Sequence, residues 1–435
     1  MKVSKKYFTI VALHSIIAMG IILLLELRLN SLCGGILYLI SLLPLIACML
    51  SENRLFTPLT AAVLFDFSFG IYITHFVNNE KMMRMIDMLA IVVCILLWEL
   101  ISICSLNSAW VRNRFAEIRV KESSFKLMIV CLFFAAACAM LFEWKMAGGI
   151  PILRADQETF RFTVKYSSLT HILAISNKIV VAVIGCYLIN KRRVSIKKDG
   201  YLILMMIISE LLMIATSMRG EMLFGPAVVF IVFGIRRKIP KKYFILAAII
   251  GVVIVGFVPY IRMSNLYGAA YLRDLKSIST FKSLATLTSF VQTFSCNFSI
   301  LAQDFLIFPN IEPFGHGDYS ILPAIPFVTL GKSLMDLQNQ IFNQGFYGGL
   351  TATFLATWYA DFGYIGMVFQ TILMAFWINY VYKMYSKNRN FFTLMWYAYT
   401  FYSSLWLVYS NTFDIVYLIY CLVIWIMSKM KLTQG

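Results

Sequence analysis

The sequence predicts an all-α, polytopic integral membrane protein. Of its 435 residues, 60% are hydrophobic and 14% are charged, and the mean hydropathy is +0.78. The apolar residues form continuous runs of about 20, the length that an α-helix needs to cross the hydrocarbon of a bilayer. A transmembrane β-barrel would instead show segments of about 10 residues with alternating polarity. The runs therefore indicate membrane-spanning helices.

The apolar runs predict about twelve spans. They lie near 7–26, 31–50, 57–77, 85–106, 125–146, 170–190, 200–217, 220–236, 243–260, 352–382, 391–410 and 413–429. The first run has a basic start like that of a signal peptide. Because it is long and no convincing small-residue cleavage site follows it, we interpret it as the first membrane helix.

The distribution of Lys and Arg predicts that both termini are cytoplasmic. With the N-terminus inside, the cytoplasmic segments carry about twice as many basic residues as the outer ones, in agreement with the positive-inside rule. The same rule accounts for the net charge of +17, so we expect the lipid bilayer, and no nucleic acid, as a partner. Most of the 9 cysteines lie in apolar runs, and no metal-ligand spacing is present. We expect no disulfide framework, no metal site and no cofactor.

Three regions follow from this pattern. Residues 1–260 form an N-terminal transmembrane bundle of about nine helices, and residues 352–435 form the C-terminal transmembrane helices. Between them, residues 261–351 are too long for a connector and hold aromatic, Pro and Gly clusters. We expect a large extracytoplasmic loop there, with short helices at the membrane surface. No internal repeat is visible in the sequence, which weighs against transporters built from two similar halves.

The loop GGIPILRADQETFRFTVKY, residues 148–166, is predicted to face outward and yet is basic. If 153–165 is helical, Arg154, Glu158, Arg161 and Lys165 share one face. That face is either a solvated amphipathic helix at the membrane surface or a cationic surface for an anionic ligand. Arginine forks suit the second reading, because they bind phosphate oxygens bidentately.

Two further outer segments carry charge. In ATSMRGEMLFGP, residues 215–226, Arg219 and Glu221 interrupt two apolar runs. A charge between membrane segments indicates a functional site by default, and the alternative is a plain helix hairpin with a snorkelling arginine. Beyond the ninth predicted span lie Arg262 and Arg273, which either anchor the helix end or bind substrate.

Two motifs near the C-terminal region supply proton-transfer candidates. In FGHGDYS, His316 lies between two glycines that leave its ring accessible, and histidine suits proton transfer near neutral pH. The alternative is an ordinary surface histidine. In GGLTATFLATWYADFGYIGMVF, residues 348–369, Asp361 stands in an apolar helix before Gly363. It is either a functional acid or the cap of a broken helix.

Several acids lie inside the predicted spans: Asp66, Glu99, Glu143 and Glu210. They could form a proton path. They could equally pair with Lys145, Lys178 or the backbone, and the sequence leaves these alternatives open.

The sequence resembles the Wzy-type oligosaccharide repeat-unit polymerases of O-antigen and capsule synthesis. The resemblance lies in the layout and in four stretches: GGIPILRADQETFRF, SMRGEMLFGP, FGHGDYSILPAIP and GGLTATFLATWYADFGYIG. It implies a multi-pass enzyme of the bacterial cytoplasmic (inner) membrane. It also implies an undecaprenyl-pyrophosphate-linked oligosaccharide as substrate, with a chain-length regulator and a flippase as possible partners.

The implied reaction is metal-independent glycosyl transfer, in which lipid pyrophosphate is the leaving group. Fixed cations lower the barrier to its departure, because charge develops on it as the glycosidic bond breaks. We expect Arg161 and Arg219 to do this, and we expect His316, Glu221 or Asp361 to act as the base. The predicted substrate-binding residues are Arg154, Arg262, Arg273 and Lys165. The alternatives are a lipid-linked oligosaccharide flippase, an O-antigen ligase and a membrane O-acyltransferase.

Overall fold

The computed structural model describes most of the chain. The described residues are 2–77, 82–105, 118–154, 168–191, 194–216, 218–237, 246, 249, 251, 260, 264, 268–279, 282, 285–324, 331–342, 352–388, 390–410, 415–428 and 430–433.

The described chain is helical apart from one pair of short strands. The first helices are α1 (Lys2–Glu26), α2 (Ser31–Ser51), α3 (Pro58–Ile73), α4 (Met85–Ser105), α5 (Glu122–Ala147), α6 (Ser168–Ile175), α7 (Asn177–Asn190), α8 (Ile196–Ala215) and α9 (Arg219–Arg237). The remaining helices are α10 (Ala269–Ile278), α11 (Ala285–Ile307), α12 (Leu334–Phe342), α13 (Leu355–Asn388), α14 (Phe391–Leu405) and α15 (Ile415–Ser428). Strand β1 (Ile118–Lys121) pairs in parallel with β2 (Met430–Thr433).

Local sequence sets several helix starts. The side chain of Asn30 accepts hydrogen bonds from the backbone of Leu32 at 2.9 Å and Cys33 at 3.3 Å, which caps α2. Asn390 caps α14 in the same way by accepting from the Thr393 backbone at 2.7 Å. Helix α3 begins with Pro58, whose missing N–H costs nothing at that position.

Among the described residues, six helical segments are long and apolar enough to span a membrane, in agreement with the predicted membrane class. They are Lys5–Glu26, Ser31–Ser51, Met85–Cys104, Glu122–Ala147, Thr170–Asn190 and Leu355–Lys387. The total of about twelve spans and the sidedness of the termini stay predictions. The span predicted at 243–260 lies almost wholly outside the described residues.

Two predicted spans differ from the observed helices. The run 170–190 is divided at Ser176 into α6 and α7. The Ser176 hydroxyl donates to the Ile172 carbonyl at 2.8 Å and bonds the Tyr420 hydroxyl at 2.9 Å, which ties this break to α15. The run 352–382 contains non-helical backbone at Gly363, as the broken-helix reading of that motif expects.

The helix termini meet at two ends of the bundle. At one end, which we call the basic end, Glu52 pairs with Arg54 at 3.0 Å, and Asp199 pairs with Lys191 at 2.8 Å and Lys126 at 3.3 Å. The opposite end, which we call the loop end, holds the starts of α4 and α9 together with the segment between α11 and α12.

An aromatic core joins the two ends. The ring of Phe354 packs against Phe65 of α3 at 5.3 Å and Trp98 of α4 at 5.6 Å. Phe298 of α11 packs against Phe65 at 5.2 Å and Phe69 at 5.3 Å. Helix α11 has 23 residues and is longer than the short helices expected in the region 261–351. It brings that region into contact with the interior of the bundle.

Candidate functional site

Helix α13 folds back on itself at the loop end. Gly363 has φ +61° and ψ −151°, a conformation that residues with a Cβ rarely adopt. A Cβ on Gly366 would lie 2.2 Å from the Trp358 carbonyl oxygen, although a straight helix would separate these residues by about 12 Å. The Trp358 ring also packs on Phe369 at 5.5 Å. The arm 355–362 therefore lies beside the start of the long arm 364–388.

The break leaves carbonyl groups at the end of the short arm without helical partners. A loop from the preceding region satisfies them. The backbone N–H of Gly315 donates to the Ala360 carbonyl at 3.0 Å, and that of His316 donates to the Asp361 carbonyl at 3.2 Å. The loop 314–320, which we call the histidine loop, is thereby attached to the broken helix.

The Asp361 side chain makes the second half of this attachment. Its carboxylate is fully buried and accepts from the Tyr319 backbone at 3.1 Å and the Ser320 backbone at 2.7 Å. The Ser320 hydroxyl donates to it at 2.5 Å. Such bonds to a charged acceptor are about twice as strong as neutral ones. The predicted role of Asp361 as a base stays a prediction, and the geometry favours a positioning role.

The histidine loop exposes the ring of His316. This residue has φ +51°, and its neighbour Gly317 has φ +116°. A Cβ on Gly315 would lie 2.6 Å from both the Asp361 carboxylate and the Tyr319 ring, so only glycine fits there. Two residues further along the loop, Asp318 pairs with Lys332 at 3.0 Å. This pairing raises the pKa of the exposed Lys332 ammonium.

A second charged group lies at the break. The Tyr364 hydroxyl donates to Asp87 at 2.5 Å, and Arg84 holds the same carboxylate through its Nε at 3.0 Å and its Nη2 at 3.1 Å. Asp87 is buried, whereas the Arg84 side chain is 54% exposed. Arg84 therefore presents a guanidinium to the surface of the loop end.

Glu221 lies in a separate cluster between α7 and α9. It pairs with Lys178 at 2.6 Å. The Lys178 ammonium also lies 5.3 Å from the centre of the Phe224 ring and 5.7 Å from that of Tyr420. Tyr402 donates to the Gly220 carbonyl at 2.8 Å, which connects this cluster to α14. Glu221 thus already has a cationic partner.

The other predicted residues are placed only in part. Arg161, Lys165 and Arg262 lie outside the described residues, and so does the side chain of Arg219, the first residue of α9. Arg154 follows a short turn and donates to the Gly148 carbonyl at 3.5 Å. Arg273 is exposed on α10.

Sequence reasoning proposed His316 and Asp361 separately, and the fold brings them together. It did not single out Arg84, Lys332 or Lys178, the partner of Glu221, as site residues. Each of these acquires its place from a contact between distant segments, and the i,i+3 spacing of Arg84 and Asp87 is the only local signal. Within the described ranges, no three His, Cys, Asp or Glu side chains are grouped so as to hold a metal ion.

No protein-family model, curated protein or solved structure matches the chain. The fold and its composition define the class, a helical membrane protein. Within that class, the observations that bear on function are the broken helix and the charged groups of the loop end.

Proposed function

We propose that the protein is a membrane glycosyltransferase that polymerises undecaprenyl-pyrophosphate-linked oligosaccharide repeat units. The observation that carries this is the histidine loop, which Asp361 and the broken helix hold in place. An exposed imidazole on a fixed backbone suits proton transfer from an acceptor hydroxyl. The same stretches of sequence carry the resemblance to the polymerases.

The proposal places the loop end at the outer face of the bacterial cytoplasmic membrane. Lys126, Lys191 and Arg54 lie at the basic end. The positive-inside rule favours the cytoplasm for that end. His316 and Glu221 then face outward, the chain makes about twelve crossings, and both termini are cytoplasmic.

In the proposed reaction, the oxygen of the acceptor hydroxyl attacks the anomeric carbon of the donor glycan. The bond from that carbon to the pyrophosphate oxygen breaks, and the lipid pyrophosphate leaves with the electron pair. The hydroxyl proton passes to a base. Among the three candidates we favour His316, because Asp361 is engaged by the loop and Glu221 by Lys178.

Basic residues that the sequence predicts to face outward complete the proposed site. Arg161 and Arg219 stabilise the negative charge that develops on the pyrophosphate, since fixed donors act most strongly where charge appears in the transition state. Arg154, Arg262, Arg273 and Lys165 bind the incoming lipid-linked substrates.

The test is polymer formation by the purified protein in lipid vesicles that contain only undecaprenyl-pyrophosphate-linked repeat units. We expect a ladder of glycans spaced by one repeat on a gel. His316→Asn keeps a residue that tolerates positive φ and should reduce the rate of ladder formation by about 100-fold, the lower range for general-base catalysis. Glu312→Gln, in the same connecting segment, is the matched control and should retain full activity.

The proposed roles of Arg161 and Arg219 are tested separately. Arg161→Ala and Arg219→Ala should both shorten the polymer at normal protein levels, and unchanged polymer length in both would remove them from the site. A product transferred once to a second acceptor, with no ladder, would indicate the O-antigen ligase instead.

A flippase is the second candidate, because buried ionisable residues occur inside the helices. His14, Asp66 and Glu99 are almost completely shielded from solvent, and ionisable residues inside membrane helices mark ion pathways and proton relays in transporters. Movement of intact repeat units across the vesicle bilayer, with no ladder, would favour this candidate over the polymerase.

A further inference from the structure

The first four helices enclose a polar cluster that the proposed reaction does not use. The Nε2 atom of His14 on α1 lies 2.8 Å from one carboxyl oxygen of Asp66 on α3, and its Nδ1 atom bonds the Ser41 hydroxyl at 2.8 Å. The Tyr38 hydroxyl of α2 donates to the other oxygen of Asp66 at 2.5 Å. His14 is 2% exposed and Asp66 is 0% exposed. Asp66 thus has a hydrogen-bond donor at one oxygen and the His14 ring next to the other.

Glu99 of α4 faces the same cluster without such partners. Its side chain is 0% exposed. Among the described residues, no hydrogen-bond donor reaches either of its carboxyl oxygens. It is close enough to Asp66 and Tyr38 to interact electrostatically with both. A buried acid therefore points into a cluster that already contains an acid.

Charge balance decides the state of this acid. The His14 ring already lies 2.8 Å from Asp66, so it is not free to serve as the partner of a second acid. A second carboxylate, buried beside the first and without a donor, is strongly disfavoured by desolvation and by like-charge repulsion. The carboxyl group avoids both costs when an O–H bond forms on one of its oxygens. A proton is the ligand that needs no further coordinating groups.

We propose that Glu99, Asp66 and His14 form a proton-binding site inside the helical bundle, with the proton carried on Glu99 at neutral pH. The titratable groups that face it are His14 from α1, Tyr38 from α2 and Asp66 from α3. Helix α13 also packs on α4. Its Thr371, which contacts Cys94, does not titrate, and its Lys383 interacts with Cys104 near the end of α4. The proposal is independent of the polymerase reaction.

The test is infrared spectroscopy of the full chain in vesicles of phosphatidylethanolamine and phosphatidylglycerol. A protonated carboxyl group has a carbonyl stretch that is separate from that of a carboxylate. We expect this signal at neutral pH in the wild type and a decrease in its intensity by one carboxyl group in Glu99→Gln, which has the shape of the protonated acid. Glu52→Gln, at an acid that pairs with Arg54 at 3.0 Å, is the matched control and should leave the signal unchanged.

Equal signals in the wild type and in Glu99→Gln would overturn the proposal. Glu99→Asp keeps an acid at the position and should retain a protonated-carboxyl signal at a shifted frequency, which covers the case in which the Gln variant does not fold. The signal should also persist when sodium ions are added at constant pH. Its disappearance on sodium addition would show that the site takes a metal cation, and the assignment of a proton would then be wrong.

Discussion

Asp361 and Glu99 are both fully buried carboxyl groups in helices that pack against each other, yet their surroundings differ. Asp361 accepts three hydrogen bonds from the histidine loop. Glu99 has none from the described residues. A buried polar group needs hydrogen-bond partners, and among the described residues the first carboxyl group has them and the second does not. The comparison separates an acid that fixes a loop from an acid that binds a proton.

Asp304 of α11 is intermediate between them. It is fully buried, and one of its oxygens accepts from the Gln338 side chain of α12 at 2.6 Å. Its other oxygen has no hydrogen-bond partner among the described residues. The number of donors thus decreases from Asp361 to Asp304 to Glu99, and each position gives a separate test of the comparison.

The largest effect is expected from Asp361→Asn. The new amide group would place N–H donors against the N–H groups of the histidine loop. We expect a loss of about 3 kcal/mol in the free energy of unfolding, the upper range for hydrogen bonds to a charged group. Denaturant unfolding in detergent micelles measures it, and faster proteolysis within 314–320 should accompany it.

Asp274→Asn is the control for this change. Asp274 is exposed on α10, so its replacement should alter stability by no more than about 0.5 kcal/mol. Similar losses of stability in both variants would mean that the bonds of Asp361 to the loop contribute little to the free energy of unfolding.

Gly366→Ala tests the fold-back that brings Asp361 to its donors. The added Cβ would lie 2.2 Å from the Trp358 carbonyl oxygen, so one arm of α13 must move. We expect a loss of about 1–3 kcal/mol, typical of overpacking. Gly20→Ala is the matched control, because a Cβ there has open space around it. It should be neutral or slightly stabilising, since Ala favours a helix more than Gly.

Because of Asp304, we expect the stability of the folded protein to depend on pH. Burial raises the pKa of Asp304 to about 7. Because the folded protein holds the proton more tightly than the unfolded chain, the stabilising contribution is complete below the ordinary pKa of Asp. It decreases as the pH rises and is lost above about 7.

Hydrogen exchange of α12 measures this dependence. After correction for the intrinsic rate, exchange in Leu334–Phe342 should increase as the pH rises through that range. Asp304→Asn removes the titrating group and should make the corrected rate independent of pH. A corrected rate that rises equally in wild type and variant would assign the dependence to another group.

The sequence allowed the prediction of most helix positions, because each depends on local features. Apolar runs set their length, and Asn30, Pro58 and Asn390 mark where helices begin. The break in α13 could also be predicted, since Gly363 directly follows the Asp and Phe that end the short arm. The pairing of Asp361 with Ser320 could not be predicted from the sequence. It joins residues from two distant segments, and nothing local to either one specifies it.

The same reasoning applies to the candidate site. His316 was found because glycines flank it, a feature of the chain itself. Arg84 and Lys332 were missed because their importance comes from the histidine loop and the break being at the same end of the bundle. The status of Glu99 was left open for a similar reason, since its missing donors become evident only when α1, α2 and α3 are placed around it.

The smallest effect is expected from Glu99→Gln at neutral pH. If Glu99 already carries a proton, the amide replaces a neutral group of the same shape, and the stability should change by less than about 1 kcal/mol. Asp66→Asn is the sharper contrast, because it disturbs both the hydrogen bond from Tyr38 and the contact with His14. It should cost more than Glu99→Gln in the same denaturant assay. A loss in Glu99→Gln as large as that in Asp361→Asn would mean that Glu99 is ionised and has a partner, and the contrast between the two acids would disappear.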